Sequence, residues 1–272
     1  MKKINASQIF SIISILIIAL FVFLFADKGH TTTPIKKHYN IETFEWILFV
    51  FILPGINIWL WRNTTLWAKN LNWEEHVTYK AFKKSIVSNN LFYITTPILL
   101  ALIVFLPNNW GWLNHISYVN AKVFIGAIFT TILISGLVKH SIGRKRPDFD
   151  ERVRTKNKVE EGYSSFFSTY SSLAFCSAVF FSLFSIEHIE IEPILKGGIV
   201  LSLLGIATFT SITRIIDNKS HSEDVFVGAF VGSIIGLLYY AIPNDWFGQV
   251  YTRLSDLNVY LNIDQLFIIF RI

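Results

Sequence analysis

The most constraining feature of this sequence is a series of long apolar blocks that contain almost no charged residues. The block at 9–26 runs through eighteen positions without a charge, and the blocks at 47–61 and 123–138 are similar. A helix needs roughly 20 mostly apolar residues to cross the hydrocarbon core of a bilayer. The sequence therefore predicts an integral membrane protein with several spans.

Composition narrows the class of protein further. Charged residues make up 16% of the chain, whereas about 25% is usual in soluble domains. This deficit excludes a disordered chain, a coiled coil and a nucleic-acid-binding module, so the expected partners are the bilayer and its lipids. The single cysteine, Cys176, has no second cysteine to pair with, and no cluster with the spacing of metal ligands accompanies it. We therefore expect no metal site.

The apolar blocks predict an all-α bundle of six or seven transmembrane helices. A chain of 272 residues has no room for a sizeable soluble domain beside such a bundle. We expect residues 1–120 to hold N-terminal spans and an amphipathic connecting segment, 121–242 the core helices with the polar motifs, and 243–272 a tail at the membrane interface. The blocks lie at 9–26, 44–62, 91–107, 121–138, 166–186, 194–213 and 225–242.

Three polar segments interrupt the later blocks, at 139–147, 164–172 and 213–224. Because successive spans alternate in direction, all three are expected on one face of the membrane. Together they offer ammonium and guanidinium groups and a hydroxyl-rich helix start, which are the groups that bind a tetrahedral oxyanion. The cations are Lys139, Arg146 and Arg214, and the helix begins near Ser168.

These cations also have a simpler interpretation. Each of them alone could bind lipid headgroups or follow the rules of membrane topology. The remaining lysines and arginines of 144–158 are expected to form a solvated or headgroup-facing run. The convergence of three cations on one face favours the anion site.

With these residues the sequence resembles the type 2 phosphatidic acid phosphatases, also called lipid phosphate phosphatases, which share their site with the vanadium haloperoxidases. The first motif of that family is a lysine, six residues and then Arg-Pro, and Lys139 with Arg146-Pro147 matches it in full. The second motif is typically Pro-Ser-Gly-His. Residues 167–170 occupy that place as Phe-Ser-Thr-Tyr and keep only the serine.

The third motif of the family is Ser-Arg, five residues, His, three residues and Asp. Thr213-Arg214 and Asp224 match it at the right separation, but the histidine position holds Ser220. The resemblance covers roughly 121–242. It implies a phosphatase-type helix bundle that uses no metal or other cofactor. The phosphate-binding residues that it implies are Lys139, Arg146, Ser168, Thr169 and Arg214.

The departures from the motifs affect the catalytic half of the site. In the family, the third-motif histidine attacks phosphorus while the aspartate orients it, and the second-motif histidine protonates the leaving alkoxide. Here Ser220 and Tyr170 replace the two histidines, and Asp224 is kept. His221 lies one residue beyond the nucleophile position and could replace it; otherwise it is a solvated loop histidine. The candidate catalytic residues are therefore His221, Asp224, Tyr170 and Ser220.

Two classes of function stay open on this basis. The first is a phosphomonoesterase that acts on a membrane lipid, such as a phosphatidate, a lysolipid phosphate or an isoprenyl phosphate. The second is a catalytically inactive relative, a pseudophosphatase, that binds phospholipid or regulates a membrane partner. A transporter is disfavoured, because no ionisable residue lies in the middle of a span.

The block at 91–107 complicates the count of crossings. The lysine pair at 2–3 and the basic cluster at 62–84 both favour the cytoplasm. If the polar segments face the other side, the chain crosses the membrane once between that cluster and Lys139. However, two apolar blocks, 91–107 and 121–138, lie in this interval. Pro97 and the short length make 91–107 the weakest helix. We expect it to re-enter or tilt steeply, which places the polar segments on the non-cytoplasmic face. The alternative, a full crossing with the N-terminus outside, breaks the charge rule.

Overall fold

The structure is a computed structural model that describes residues 47–62, 86, 91–106, 115–157 and 159–244. The apolar block at 9–26, the basic cluster at 63–84 and most of the tail predicted at 243–272 lie outside the described residues. The three polar segments and the helices that carry them belong to the described residues, whereas residue 158 does not.

The described residues form seven α-helices and no strand. The predicted all-helical bundle is therefore confirmed. A π-helical turn, Leu48–Ile52, precedes the first helix, and a short 3₁₀ helix, Val159–Tyr163, follows the fourth. The helices are α1 (Leu53–Arg62), α2 (Leu91–Phe105), α3 (His115–Ile142), α4 (Phe149–Arg154), α5 (Thr169–His188), α6 (Pro193–Ile216) and α7 (Ser222–Ala241).

Four helices in the described part of the chain are long and apolar enough to cross a membrane. They are α3, from Val119 onward, and α5, α6 and α7, each of at least 20 residues. Their lipid-facing surfaces are apolar: Leu201 and Phe209 on α6 and Phe226 and Phe230 on α7 are all exposed. These features are those of a membrane protein built as a helical bundle.

Local signals in the sequence fix where the long helices begin and end. Gly143 has a φ of 63°, and its N–H donates to the carbonyl of Lys139 at 3.1 Å, so it ends α3 in the left-handed conformation that glycine adopts readily. Ser168 caps α5, because its side chain accepts from the N–H of Ser171 at 3.4 Å. Pro193 occupies the first turn of α6. We call the end at which α3 and α6 finish and α5 and α7 begin the motif end.

Glycines allow α7 to lie directly against the backbone of α5. A Cβ atom on Gly228 would lie 2.6 Å from the carbonyl oxygen of Ser168, and one on Gly236 would lie 2.5 Å from that of Cys176. Gly232, between them, is at least as close to the backbone of Ser172. Small residues four apart permit such close approach of two membrane helices. The start of α7 is therefore held beside the start of α5.

The helix α2 occupies most of the block at 91–107. Five residues before the helix begins, the N–H of Ile86 donates to the two carboxylate oxygens of Asp217, at 3.2 and 3.1 Å, at the motif end of α6. At its other end, the carbonyl of Val104 accepts from the hydroxyl of Ser117, at 2.8 Å, near the start of α3. The helix continues through Pro97 without a break. Within 91–105 α2 runs in one direction, antiparallel to α3, without a reversal; whether it crosses fully or tilts steeply stays a prediction.

Candidate phosphate-binding site

The first and second polar segments pair through their backbones at the motif end. The N–H of Arg146 donates to the carbonyl of Gly162 at 2.8 Å, and the N–H of Ser165 donates to the carbonyl of Arg144 at 3.1 Å. A Cβ on Gly162 would collide with the ring of Phe149, 2.7 Å away, so this contact requires a glycine. The two segments that sequence analysis singled out separately thus form one layer.

Asp224 connects all three polar segments. Its carboxylate, which is fully buried, accepts from Arg144 Nη1 at 2.6 Å and from the hydroxyl of Ser165 through a short hydrogen bond. The same carboxylate accepts from the backbone N–H of His221 at 3.1 Å and so caps α7. In addition, its carbonyl accepts from the N–H of Ser168 at 2.9 Å. Asp224 therefore holds the start of α7, the start of α5 and the loop after α3 together.

A buried ion cluster forms a second connection between the first and third segments. Asp148 accepts two hydrogen bonds from Arg152, at 2.8 and 2.9 Å, and lies 3.4 Å from Lys219 Nζ. Burial raises the pKa of Asp148, but the hydrogen bond and charge of Arg152 and the charge of Lys219 outweigh it, and the net pKa lies below its ordinary value. Asp148 is therefore ionised at neutral pH. The cluster fixes the loop beside Ser220.

The three predicted phosphate-binding cations lie near one another at the motif end. The charges of Arg146, Arg214 and Asp224 all act on the ammonium group of Lys139. Arg146 Nη2 donates to the hydroxyl of Ser164 at 3.2 Å, whereas its buried Nε has no hydrogen-bond partner among the described residues. We call Lys139, Arg146 and Arg214 the cation cluster.

Within the cation cluster, Arg146 keeps its charge at neutral pH. Burial and the charge of Arg152 lower the pKa of Arg146 to about 10, so its guanidinium stays protonated. Arg214 is buried at 5% exposure, and its Cζ atom lies 4.1 Å from the centroid of the Tyr170 ring. Cations held in this way lack full hydration and favour an anion.

The start of α5 contributes Ser168 and Thr169. Ser168 is buried and its hydroxyl is the helix cap. The hydroxyl of Thr169 shares a hydrogen bond with that of Ser135 on α3, at 2.9 Å. Thr169 thus ties α5 to α3, and the first backbone N–H groups of α5 provide the positive end of the helix dipole.

The candidate catalytic residues lie at the same end of the bundle. Ser220 is buried, and its N–H donates to the carbonyl of Arg214 at 3.3 Å. His221 Nε2 donates to the carbonyl of Lys145 at 3.0 Å, because a carbonyl can only accept. Asp224 bonds the backbone of His221, and the described hydrogen bonds include none between this carboxylate and the imidazole. Asp224 therefore does not orient that ring in the way that the family aspartate orients its histidine.

Four residues that build this region were not indicated by the motifs, namely Arg144, Asp148, Arg152 and Ser165. The expectation that the basic run at 144–158 is solvated is wrong for two of its members, because Arg152 is buried and Arg144 is largely so. It holds for Arg154 and Lys156, which are exposed. One signal was available, since Asp148 and Arg152 have the i, i+4 spacing of a helical ion pair.

The fold and the motifs define a class of protein: a polytopic helical membrane protein with three polar segments gathered at one end of its bundle. Residues 120–247 match the PAP2 superfamily. This match, together with relatives that include lipid phosphate phosphatases, supports the assignment of these residues to the superfamily.

Several relatives are similar to the chain. A PA-phosphatase related-family protein of Dictyostelium discoideum is 29% identical over 78% of this chain and 82% of its own length. Lipid phosphate phosphatase 1 of Arabidopsis thaliana is 26% identical over 78% of this chain and 70% of its own. Lipid A 1-phosphatase of Porphyromonas gingivalis is 31% identical over 45% of this chain and 24% of its own. No solved structure gives a significant match.

Proposed function

We propose that this protein binds the phosphomonoester group of a membrane lipid at the cation cluster. The observation that carries the proposal is the buried Arg146 Nε, which has no hydrogen-bond partner among the described residues. A buried donor left unsatisfied costs about 1–3 kcal/mol, and more when the group is charged. A phosphate oxygen would satisfy it, and Lys139 and Arg214 would neutralise the remaining charge.

The lipid nature of the ligand follows from the position of the site. The cation cluster lies at the ends of α3 and α6, which are apolar enough to span the membrane, so a headgroup at the interface reaches it without leaving the bilayer. Relatives are named lipid phosphate phosphatase and phospholipid phosphatase, which supports the same class. Phosphatidate, lysolipid phosphate and isoprenyl phosphate are the candidate ligands.

Vanadate, a tetrahedral phosphate analogue, tests the proposal directly. Purified protein in detergent is titrated with vanadate by calorimetry, alongside Arg146→Gln and Arg154→Gln. Loss of a charge-assisted hydrogen bond should weaken binding about 10- to 150-fold in Arg146→Gln. Arg154→Gln removes an exposed guanidinium paired with Glu151 and should bind as the parent does. Equal affinity in parent and Arg146→Gln would refute the proposal.

Hydrolysis through His221 is the second candidate function. Its Nε2–H donates to the carbonyl of Lys145, and in a neutral ring the lone pair on Nδ1 is the nucleophile. The same side chain takes part in the capping box with the backbone N–H of Asp224, a hydrogen bond that attack on phosphorus would have to break. Phosphate release from phosphatidate by the purified protein, with His221→Ala beside Ser220→Ala, tests this route. Activity that is lost only in His221→Ala supports it. A protein that binds vanadate and releases no phosphate would instead be the pseudophosphatase.

We also propose that the motif end faces away from the cytoplasm. The ring of Phe49, just before α1, packs on Tyr239 near the end of α7, with centroids 5.9 Å apart. The chain therefore enters α1 at the opposite end of the bundle, and the lysines at 28, 36 and 37 precede that entry. By the positive-inside rule these lysines favour this orientation, whereas the basic cluster at 62–84 that follows α1 opposes it.

Cysteine labelling in a Cys176→Ala background decides the sidedness. Asn157 lies at the motif end, Glu192 caps α6 at the other end, and both are exposed. A membrane-impermeant maleimide added to intact cells should label a cysteine at 157 and spare one at 192. The reverse pattern would place the site in the cytoplasm.

A further inference from the structure

The ring of Tyr170 packs against the guanidinium of Arg214. The distance of 4.1 Å from Cζ to the ring centroid is well inside the roughly 6 Å over which an aromatic face attracts a cation. We propose that Tyr170 is a positioning residue whose ring holds Arg214 in place in the cation cluster. This inference rests on the proposed phosphate binding and reassigns a residue that sequence analysis placed among the catalytic candidates.

The packing of α5 against α6 fixes this arrangement. Tyr170 lies in the first turn of α5 and Arg214 in the last turn of α6. Beside this contact, the hydroxyl of Ser211 donates to that of Ser171 at 2.9 Å, and the Ser171 hydroxyl donates in turn to the carbonyl of Val225 at 2.9 Å. These hydrogen bonds lock the register of the two helices, so the ring and the guanidinium cannot slide past each other.

The chemistry of the ring suits a cation cluster better than that of a histidine does. A histidine that donates a proton must first carry a positive charge, which would repel Arg214. A tyrosine, with a reference pKa near 10, is neutral at pH 7, and the face of its ring is the negative side of its quadrupole. Tyrosine in place of histidine at position 170 therefore removes the acid of the family mechanism and stabilises one of the cations that bind phosphate.

Two kinds of substitution separate the ring from the hydroxyl. Tyr170→Phe keeps the ring, whereas Tyr170→Leu and Tyr170→Met remove it. In a vanadate titration we expect Tyr170→Phe to bind as the parent does and both ringless variants to bind about 2- to 30-fold more weakly. Phe230→Leu, which removes an exposed ring from the lipid face of α7, should have no effect. Parent-like binding in the ringless variants, or equal weakening in Tyr170→Phe, would overturn the proposal.

A second measurement reports the contact without any ligand. In protein with ¹⁵N-labelled arginine, the Arg214 Nε–H resonance, assigned by its loss in Arg214→Lys, should show a ring-current shift. The shift should persist in Tyr170→Phe and disappear in Tyr170→Leu; a shift that survives removal of the ring overturns the proposal. If the parent binds no vanadate but shows the ring-dependent shift, the proposed function fails and the role of the ring stands.

Discussion

Replacing Gly232 by alanine should separate α7 from α5 and disrupt the motif end. A Cβ atom at this position would lie 2.7 Å from the carbonyl carbon and 2.8 Å from the Cα of Ser172. Carbon atoms in contact prefer about 3.5–4.0 Å, so the helices must move apart by roughly 1 Å. No rotamer change relieves the collision, because the atoms on both sides belong to the backbone or are fixed to it.

The expected loss of stability follows from the contacts that this displacement breaks. Overpacking in a core costs about 1–3 kcal/mol, and separation here also loosens the contacts at Gly228 and Gly236. A cost of about 3 kcal/mol lowers the unfolding midpoint by roughly 6–12 °C in a chain of this size. The hydrogen bond from Ser168 N–H to the Asp224 carbonyl, 2.9 Å long, joins the two helix starts. Its loss should weaken vanadate binding as well.

The assay is thermal unfolding of the purified protein in detergent, followed by circular dichroism, with a vanadate titration of the same samples. Gly198→Ala is the matched control, since a Cβ there meets nothing within 4 Å and alanine favours a helix by about 1 kcal/mol over glycine. We expect an unchanged or higher midpoint for this control. A parent-like midpoint in Gly232→Ala, or an equal fall in Gly198→Ala, would refute the close-packing argument.

Two further predictions concern the ion cluster and the missing histidines. Arg152 and Lys219 lower the pKa of Asp148 in the folded protein, against the opposing effect of burial. The ionised carboxylate therefore stabilises the folded state at pH values above the pKa of an unfolded-chain aspartate, near 3.9. This stabilisation is lost as the pH falls through the pKa of Asp148 in the folded protein. The parent's unfolding midpoint should therefore fall below about pH 4 more steeply than that of Asp148→Asn; parallel curves would contradict this. Tyr170→His combined with Ser220→His restores both family histidines and should raise phosphate release from phosphatidate, by about 10²–10⁴-fold if a proton donor was limiting. No gain in a folded double variant would place the defect elsewhere.

The helices were predictable because hydropathy and helix-ending residues are local properties. The apolar blocks beginning near residues 121, 166, 194 and 225 correspond to α3, α5, α6 and α7. The block at 91–107 was expected to be the weakest helix because of Pro97, which in a water-exposed helix would weaken the hydrogen-bond ladder. Inside a bundle, neighbouring helices compensate for the missing hydrogen bond, and α2 continues through Pro97.

The glycine contact between α5 and α7 was visible in the sequence as a four-residue repeat at 228, 232 and 236. The pattern alone does not name the partner helix. Only the packed bundle shows that α7 turns this face to Ser168, Ser172 and Cys176, because many faces of an apolar helix offer similar burial until its neighbours are in place.

By itself the sequence determined the membrane class, the helices, the three motifs and the loss of both family histidines, since each of these depends on residue type and short spacing. Only the tertiary structure decided which basic residues are used inside the protein and what Asp224 binds. Arg144 lies 80 residues from Asp224 along the chain and Ser165 lies 59. No local pattern encodes such pairs, because a buried charge takes the partner that the packing of distant helices brings within hydrogen-bond distance.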